Sequence, residues 1–212
     1  KPTCLGSTDL FKKVSKFAEE NNRIPIFWDD VYLKHGGVWM VTRNTKLTKD
    51  EVNNIWIKNS EKLTEYIDDF PKNLIYMRWN YFSPWANGNL KTIDWYKENN
   101  MKVMGATAGQ TRWILMPQDN SNIEAIKSFS LTSVDKKLDG LLLTLWDDDS
   151  PHFELYKRGI AGFSEYSWAG DNLSIDQFKS LYRYRNFGHL FMSDEFEFID
   201  HLEKPVSLWL NM

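Results

Sequence analysis

The sequence predicts an α/β fold, a parallel (β/α) half-barrel, and three observations carry that reading. Four strand-length runs, 24–28, 74–79, 102–107 and 140–146, are apolar for most of their length, as strands buried on both faces are. Segments with apolar residues at helical spacing alternate with them, which implies parallel strands with the helices outside. Three of the runs end in tryptophan beside polar groups: Trp28-Asp29-Asp30, Trp79-Asn80-Tyr81 and Trp146-Asp147-Asp148-Asp149. Barrel enzymes keep their chemistry at that end of their strands, and four strand–helix units in roughly 170 residues is half of an eight-unit barrel of about 250. A small doubly wound sheet is the alternative. No run leads into a glycine-rich phosphate loop, however; 105–109 comes nearest and lacks the spacing.

Taken in order, Ser7-Thr8-Asp9 caps a helix with Leu10, Phe11, Val14, Phe17 and Ala18 at helical spacing, and Asn21-Asn22 ends it. Pro25 is tolerated near the start of the strand 24–28. Residues 29–47 read as a long polar loop carrying Gly36-Gly37 and Trp39. Thr48-Lys49-Asp50-Glu51 is a capping box, and Val52, Ile55, Trp56, Leu63, Tyr66 and Ile67 continue one helix. Pro71 breaks the chain before the strand 74–79. A loop with Ser83-Pro84-Trp85 and Asn87-Gly88 leads to a short helix over 90–98. The small-residue strand 102–107 runs into a loop over 108–120. Ser121-Asn122-Ile123-Glu124 is a second capping box, opening a helix with Ile126 and Phe129. After the strand 140–146, the segments 153–168 and 174–187 read as helices and 196–210 as a helical tail. The expected organisation is one half-barrel over 1–190 and a helical C-terminal extension over 191–212.

At 212 residues the chain can bury a sizeable core. A net charge of −3 and a pI near 5.9 argue against a nucleic-acid partner, which requires a basic face. No run approaches the roughly eighteen apolar residues of a membrane span. One cysteine, Cys4, excludes an internal disulfide and an all-cysteine zinc site. His35, His152, His189 and His201 form no pair at metal-ligand spacing, so neither a metal nor a cofactor is expected. The outlying feature is aromatic content, 15% of the chain with 10 tryptophans. Flat aromatic faces suit the C–H faces of pyranose rings, and tryptophan adds an N–H donor.

Side-chain alternation sharpens the candidates, because residues i and i+2 of a strand share a face. Trp28 then travels with Ile26 and Asp30, Trp79 with Met77, Ile75 and Tyr81, and Trp146 with Thr144, Leu142 and Asp148. All three strands aim a Trp-x-polar pair at the barrel mouth. Asp147 and Asp149 point the other way and read as turn or capping groups, as does His152 after Ser150-Pro151. Trp56, Trp95 and Trp168 lie at helical positions and are expected to pack. Arg158 and Glu165, seven apart on a helix, are expected in structural ion pairs or backbone hydrogen bonds. Trp39, Trp85 and Trp113 lie in loops where they could shape outer subsites.

These residues carry a family resemblance. The segment from Gly140 through Leu145-Trp146-Asp147-Asp148 to Arg158, Ala161, Glu165 and Trp168 resembles the last strand and following helix of family 20 glycoside hydrolases, the β-N-acetylhexosaminidases. There a Trp-x-Glu ending precedes an Arg…Ala-x-x-Glu-x-x-Trp helix. The run Ile24-Pro25-Ile26-Phe27-Trp28-Asp29-Asp30 resembles the family's fifth strand, and Met77-Arg78-Trp79 its sixth. The resemblance reaches to about residue 190 and implies strands five to eight of a TIM-type (β/α)8 barrel. It further implies that the catalytic Asp-Glu pair ends a fourth strand outside this chain, so no residue here is assigned as catalytic. Two departures stand out: the tyrosine usual after the seventh strand is missing from Met104-Gly105-Ala106-Thr107-Ala108-Gly109-Gln110-Thr111-Arg112, and Asp148 replaces a glutamate. Gln110 or Arg112 could take the tyrosine's place.

The resemblance implies hydrolysis of terminal N-acetyl-β-hexosaminides with retention, the substrate's own acetamido oxygen attacking the anomeric carbon. Trp28, Trp79 and Trp146 would wall the sugar, and Asp30 and Asp148 would bind it, Asp148 through hydroxyl groups. Asp29 and Tyr81 are further candidates. The expected partners are an N-acetylhexosamine-containing glycan and the N-terminal half of the same barrel, in an extracytoplasmic setting. Alone, such a half would expose the inward faces of Ile26, Met77 and Leu142 and associate or aggregate. Two other readings stay open: a non-catalytic carbohydrate-binding module, and a two-carboxylate barrel glycosidase using Asp30 and Asp148.

Overall fold

The computed structural model describes residues 4–65, 67, 70–81, 85–109, 111–112, 116–117, 119–146, 153–198, 200–201, 203 and 205. The elements in chain order are α1 (Cys4–Glu20), β1 (Ile26–Trp28), α2 (Asp30–His35), α3 (Lys49–Lys58), α4 (Ser60–Thr64), β2 (Ile75–Trp79) and α5 (Asn87–Glu98). Then follow β3 (Lys102–Ala108), β4 (Thr111–Arg112), β5 (Met116–Pro117), α6 (Asp119–Asp135), β6 (Gly140–Thr144), α7 (Lys157–Ala169) and α8 (Ile175–Phe187). The four apolar runs become β1, β2, β3 and β6, a parallel sheet in that order, while β4 and β5 form a separate antiparallel pair. Among the described residues no helix is long and apolar enough to cross a membrane.

The chain divides into two compact units. The first comprises Lys1–Trp79, Trp85–Gly105 and Lys136–Gly140. Its core is aromatic: Tyr32 meets Phe70 edge-on at 4.5 Å, and Tyr76 stacks on Tyr96 at 5.0 Å and 18°. Leu33, Leu74, Tyr76, Tyr96 and Val103 are fully buried in it. Residues 29–47, expected as a polar loop, instead form α2 and a 3-10 turn over Trp39–Arg43. Tyr32, Leu33, Val38, Trp39 and Val41 anchor that segment, each under a tenth exposed. Their burial outweighs the glycines and charges between them. The capping box at Thr48 and Glu51 forms as expected. The single helix expected after it breaks at Asn59, whose side-chain amide donates to Ile55 O at 2.8 Å and closes α3.

The second unit comprises Asn80–Pro84, Ala106–Asp135 and Leu141–Met212. Ile123 and Ile126 of α6, Tyr166 of α7 and Phe178 of α8 form its core, with Leu143 packed against them. Gly162 lets α7 approach α6, since a Cβ there would lie 2.5 Å from Ile123 Cδ1. α6 begins at Asp119, so Ser121 lies inside the helix rather than capping it. The cap comes from far along the chain: the N–H groups of Asn120 and Ser121 donate to Glu203 Oε2 at 3.0 and 3.3 Å. A carboxylate there also complements the positive end of the helix dipole.

The same C-terminal segment is held by a chain of nearly buried ions. Arg158 pairs with Glu197 and, at 3.3 Å, with Asp200; Lys179 also reaches Asp200, and Arg183 reaches Glu197. Arg158 and Glu165 thus both make ion pairs with other partners, Glu165 facing Arg185 at 3.7 Å. Trp56 and Trp95 pack as expected, at 5% and 8% exposure, but Trp168, also expected to pack, is 90% exposed.

A capping box opens α8, with the Ser174 N–H donating to Gln177 Oε1 at 2.8 Å and the Gln177 N–H to Ser174 Oγ at 3.1 Å. Ser174→Ala should cost about 1 kcal/mol of stability, and Ser174→Asp much less, measured by urea unfolding. Equal losses from both would remove the cap as the cause.

Candidate functional site

The strand alternation expected from sequence is what places the candidate residues. In β1, Ile26 and Trp28 are 49% and 38% exposed, while Phe27 between them packs into the aromatic core. Near β6, Leu142 and Trp146 are 41% and 43% exposed, while Leu143 packs into the second core. Each edge strand therefore shows one apolar face outward. β2 differs: Met77, expected to be exposed, is only 3% accessible. It belongs to an inner strand, flanked on both sides in the sheet.

In the first unit, Trp79 ends β2 half-buried and lies against Trp39, ring centroids 5.0 Å apart at 57°. Three cations surround this pair. Arg43 lies 5.8 Å from the Trp39 ring and 5.7 Å from that of Trp79, Arg78 lies 5.3 and 5.9 Å away, and Lys34 sits 5.2 Å over Trp39. Such cation–π contacts favour a fixed ring plane, most of all when desolvated. Trp39, expected in a loop where it could shape an outer subsite, is instead 9% exposed and packs against Trp79 in this aromatic floor.

Asp29 follows Trp28 but turns away from the exposed face. It is fully buried, and its carboxylate lies 3.0 Å from Arg78 Nη1, a side chain 1% exposed. Tyr96 donates its hydroxyl to Asp29 Oδ2 at 3.4 Å. Burial pushes the Asp29 carboxyl up to about 7, against the opposing pull of Arg78 and of the Tyr96 hydrogen bond, with Asp30 adding to the rise. This leaves Asp29 no surface to offer a ligand. Asp30 opens α2, partly exposed, and binds Lys34 one turn on at 2.6 Å.

In the second unit, Trp146 approaches Tyr81, ring centroids 6.3 Å apart at 54°. Its backbone is fixed by the buried Tyr156, whose hydroxyl donates to Trp146 O at 3.2 Å. The end of β6 is fixed as well: Gly109 N–H donates to Thr144 O and Thr144 Oγ1 to Thr107 O, both at 3.0 Å. Asp148 and Gln110 lie outside the described residues, as does the side chain of Arg112, whose backbone pairs with Met116. Asp147, Asp149, His152 and Trp113 lie outside them too.

Sequence reasoning passed over Arg78 as a site residue. A guanidinium inside the run Tyr76-Met77-Arg78-Trp79 needs a buried partner, and that requirement pointed to a nearby carboxylate. Among the described residues no group of three or more His, Cys, Asp or Glu could hold a metal ion. A scan of protein-family models finds no match to the chain, and a search of curated proteins finds none.

Proposed function

We propose that this chain is the sugar-binding half of a family 20-like glycoside hydrolase, strands five to eight of a (β/α)8 barrel acting on terminal N-acetyl-β-hexosaminides. The observation that carries the reading is the alternation on the edge strands: Ile26 and Trp28, Leu142 and Trp146 face outward while Phe27 and Leu143 pack under helices. An apolar inner face ending in tryptophans is what four units of a barrel present to the other four.

In this reading the tryptophans stack on the sugar's C–H faces and keep water from the acetamido group. The acetamido carbonyl oxygen attacks the anomeric carbon as the glycosidic bond breaks, giving an oxazolinium ion. A carboxylic acid from the other half of the barrel protonates the leaving oxygen and then activates water. Asp148 accepts hydrogen bonds from sugar hydroxyl groups, each contributing about 1.5–3 kcal/mol as a bond to a charged group.

A thiazoline mimic of the oxazolinium tests the reading on the protein containing both halves of the barrel. Competitive inhibition of aryl N-acetyl-β-hexosaminide hydrolysis at least about a hundredfold tighter than substrate binding is expected of a transition-state-like ligand. Hydrolysis without such inhibition would favour the two-carboxylate mechanism. Glycan binding without turnover would favour a carbohydrate-binding module.

A further inference from the structure

We propose that Asp29 and Arg78 are positioning residues for the aromatic floor formed by Trp39 and Trp79, coupling the plane of that floor to the charge of one buried carboxyl. The proposal rests on Trp79 lining the sugar site, but the device itself stands on geometry within the first unit.

Arg78 is tied at every part of its guanidinium. Nε donates to Trp79 O at 3.1 Å and Nη2 donates to the same oxygen. Nη1 faces Asp29 Oδ2 at 3.0 Å, and the guanidinium carbon lies 5.3 Å from the Trp39 ring and 5.9 Å from that of Trp79. Asp29 is anchored through its backbone to two elements, its N–H donating to Met77 O and its carbonyl accepting from Leu33 N–H, both at 3.2 Å. Tyr96, stacked on Tyr76, supplies the remaining contact.

For stability alone this arrangement is poor. Burying a charged pair costs more desolvation than a well-packed apolar pair of the same volume, and every remaining polar atom has to be satisfied. Among the described residues Asp29 Oδ1 and Arg78 Nη1 are buried without a hydrogen-bond partner, so the Asp29–Arg78 contact is one of charge and not of aligned donor and acceptor. A network left partly unsatisfied, at the ends of β1 and β2 and against the pocket tryptophan, fits a positioning role.

The groups facing the carboxyl are Arg78 from β2, Tyr96 from α5 and Asp30 from α2, with Tyr76 and Tyr32 beyond Tyr96. Burial has lifted its proton affinity to about 7. Below that pH Asp29 is neutral, and Arg78 is held only by Trp79 O and the two indole faces. Above it, the full charge of Asp29 draws Nη1, and the guanidinium shifts against both rings. The stability linkage has a definite sign. A carboxyl raised in the folded state stabilises fully below its unfolded value of 3.8, and that contribution is lost as pH rises through about 7.

The test uses the full-length protein with Asp29→Asn, Arg78→Lys and Arg78→Met. Paired indoles this close give an exciton-coupled circular dichroism band. In the wild type that band should change between pH of about 5.5 and about 8.5, and the urea midpoint should fall over the same interval. Asp29→Asn should flatten both profiles, and Arg78→Lys, which keeps the charge but not the planar fork, should weaken the band while the protein stays folded. With an aryl N-acetyl-β-hexosaminide, Arg78→Lys should lower kcat/KM about tenfold, and Asp29→Asn should remove one limb of the pH profile. If Arg78→Met fails to fold, the other two variants decide. A pH-independent band in the wild type, a midpoint rising with pH, or an unchanged profile in Asp29→Asn would overturn the proposal. A pH-dependent band governed by Asp29 in a protein that neither binds thiazoline nor hydrolyses the glycoside would keep the device and remove the glycosidase reading. Thiazoline binding and turnover unaltered by all the variants would do the reverse.

Discussion

Gly88→Ala is expected to destabilise the first unit by roughly 2–3 kcal/mol, the upper range for overpacking a well-filled site. A Cβ on Gly88 would lie 2.2 Å from Val41 O, 2.6 Å from its carbonyl carbon and 2.9 Å from Thr42 N. All three are backbone atoms, so no rotamer change relieves the clash. Alanine's better helix propensity returns only about 1 kcal/mol in α5. The 3-10 turn over Trp39–Arg43 would have to slide outward and take Trp39 away from Trp79. The Thr42 Oγ1 hydrogen bond to Trp39 O, at 2.8 Å, links that movement to the ring. Gly170→Ala is the comparison: among the described residues nothing lies within 4 Å of its Cβ, so a φ of +64° leaves only backbone strain, roughly 1–3 kcal/mol. Urea unfolding of the two variants separates steric contact from strain. A Gly88→Ala protein as stable as wild type would refute the close approach of α5 to the turn.

The second large effect is on catalysis. Under the proposed glycosidase reading, Trp146→Ala in a protein carrying both barrel halves should lower kcat/KM for an aryl N-acetyl-β-hexosaminide by more than about tenfold. The indole is 43% exposed yet held by its contact with Tyr81 and by the Tyr156 hydroxyl on its carbonyl. The Tyr156 hydrogen bond goes to the backbone and survives truncation, whereas the ring contact with Tyr81 is lost. The urea midpoint should therefore fall too, and it is measured beside the rate to separate folding from catalysis. Trp146→Phe should recover part of the rate, since a smaller aromatic face remains. Activity surviving within about threefold in Trp146→Ala would take Trp146 out of the sugar site.

How far the sequence could be read differed from element to element for physical reasons. The strands were legible because period-2 alternation and near-continuous apolar runs are local signals: Phe27 faces in and Trp28 out as parity requires. Thr48 capped α3 as expected because a capping box is complete within four residues. The apparent loop over 29–47 misled because its apolar anchors, Tyr32, Leu33, Val38, Trp39 and Val41, are spread among glycines and charges and gain meaning only against a core. The start of α6 was misjudged because its cap, Glu203, is more than eighty residues distant. Trp168 sits at a helical position in the pattern, yet nothing local tells a packed indole from one 90% exposed. Of the candidate site, Trp28, Trp79, Trp146 and Asp30 were nameable from strand ends. Arg78 and Trp39 were not, because their roles arise from a buried partner and from a ring contact made across the fold.

The cap on α6 also bears on how this chain is made. Asn120 leaves the ribosome long before Glu203, 83 residues later, and until then the first turn of α6 lacks the Glu203 carboxylate. Arg158, Lys179 and Arg183 likewise wait for Glu197 and Asp200. Contacts of such sequence separation are slow to form and come late. The second unit therefore completes its folding only after synthesis has passed residue 203. Nascent chains stalled short of that point would hold the α6–α7–α8 core but leave Arg158, Lys179 and Arg183 without Glu197 and Asp200.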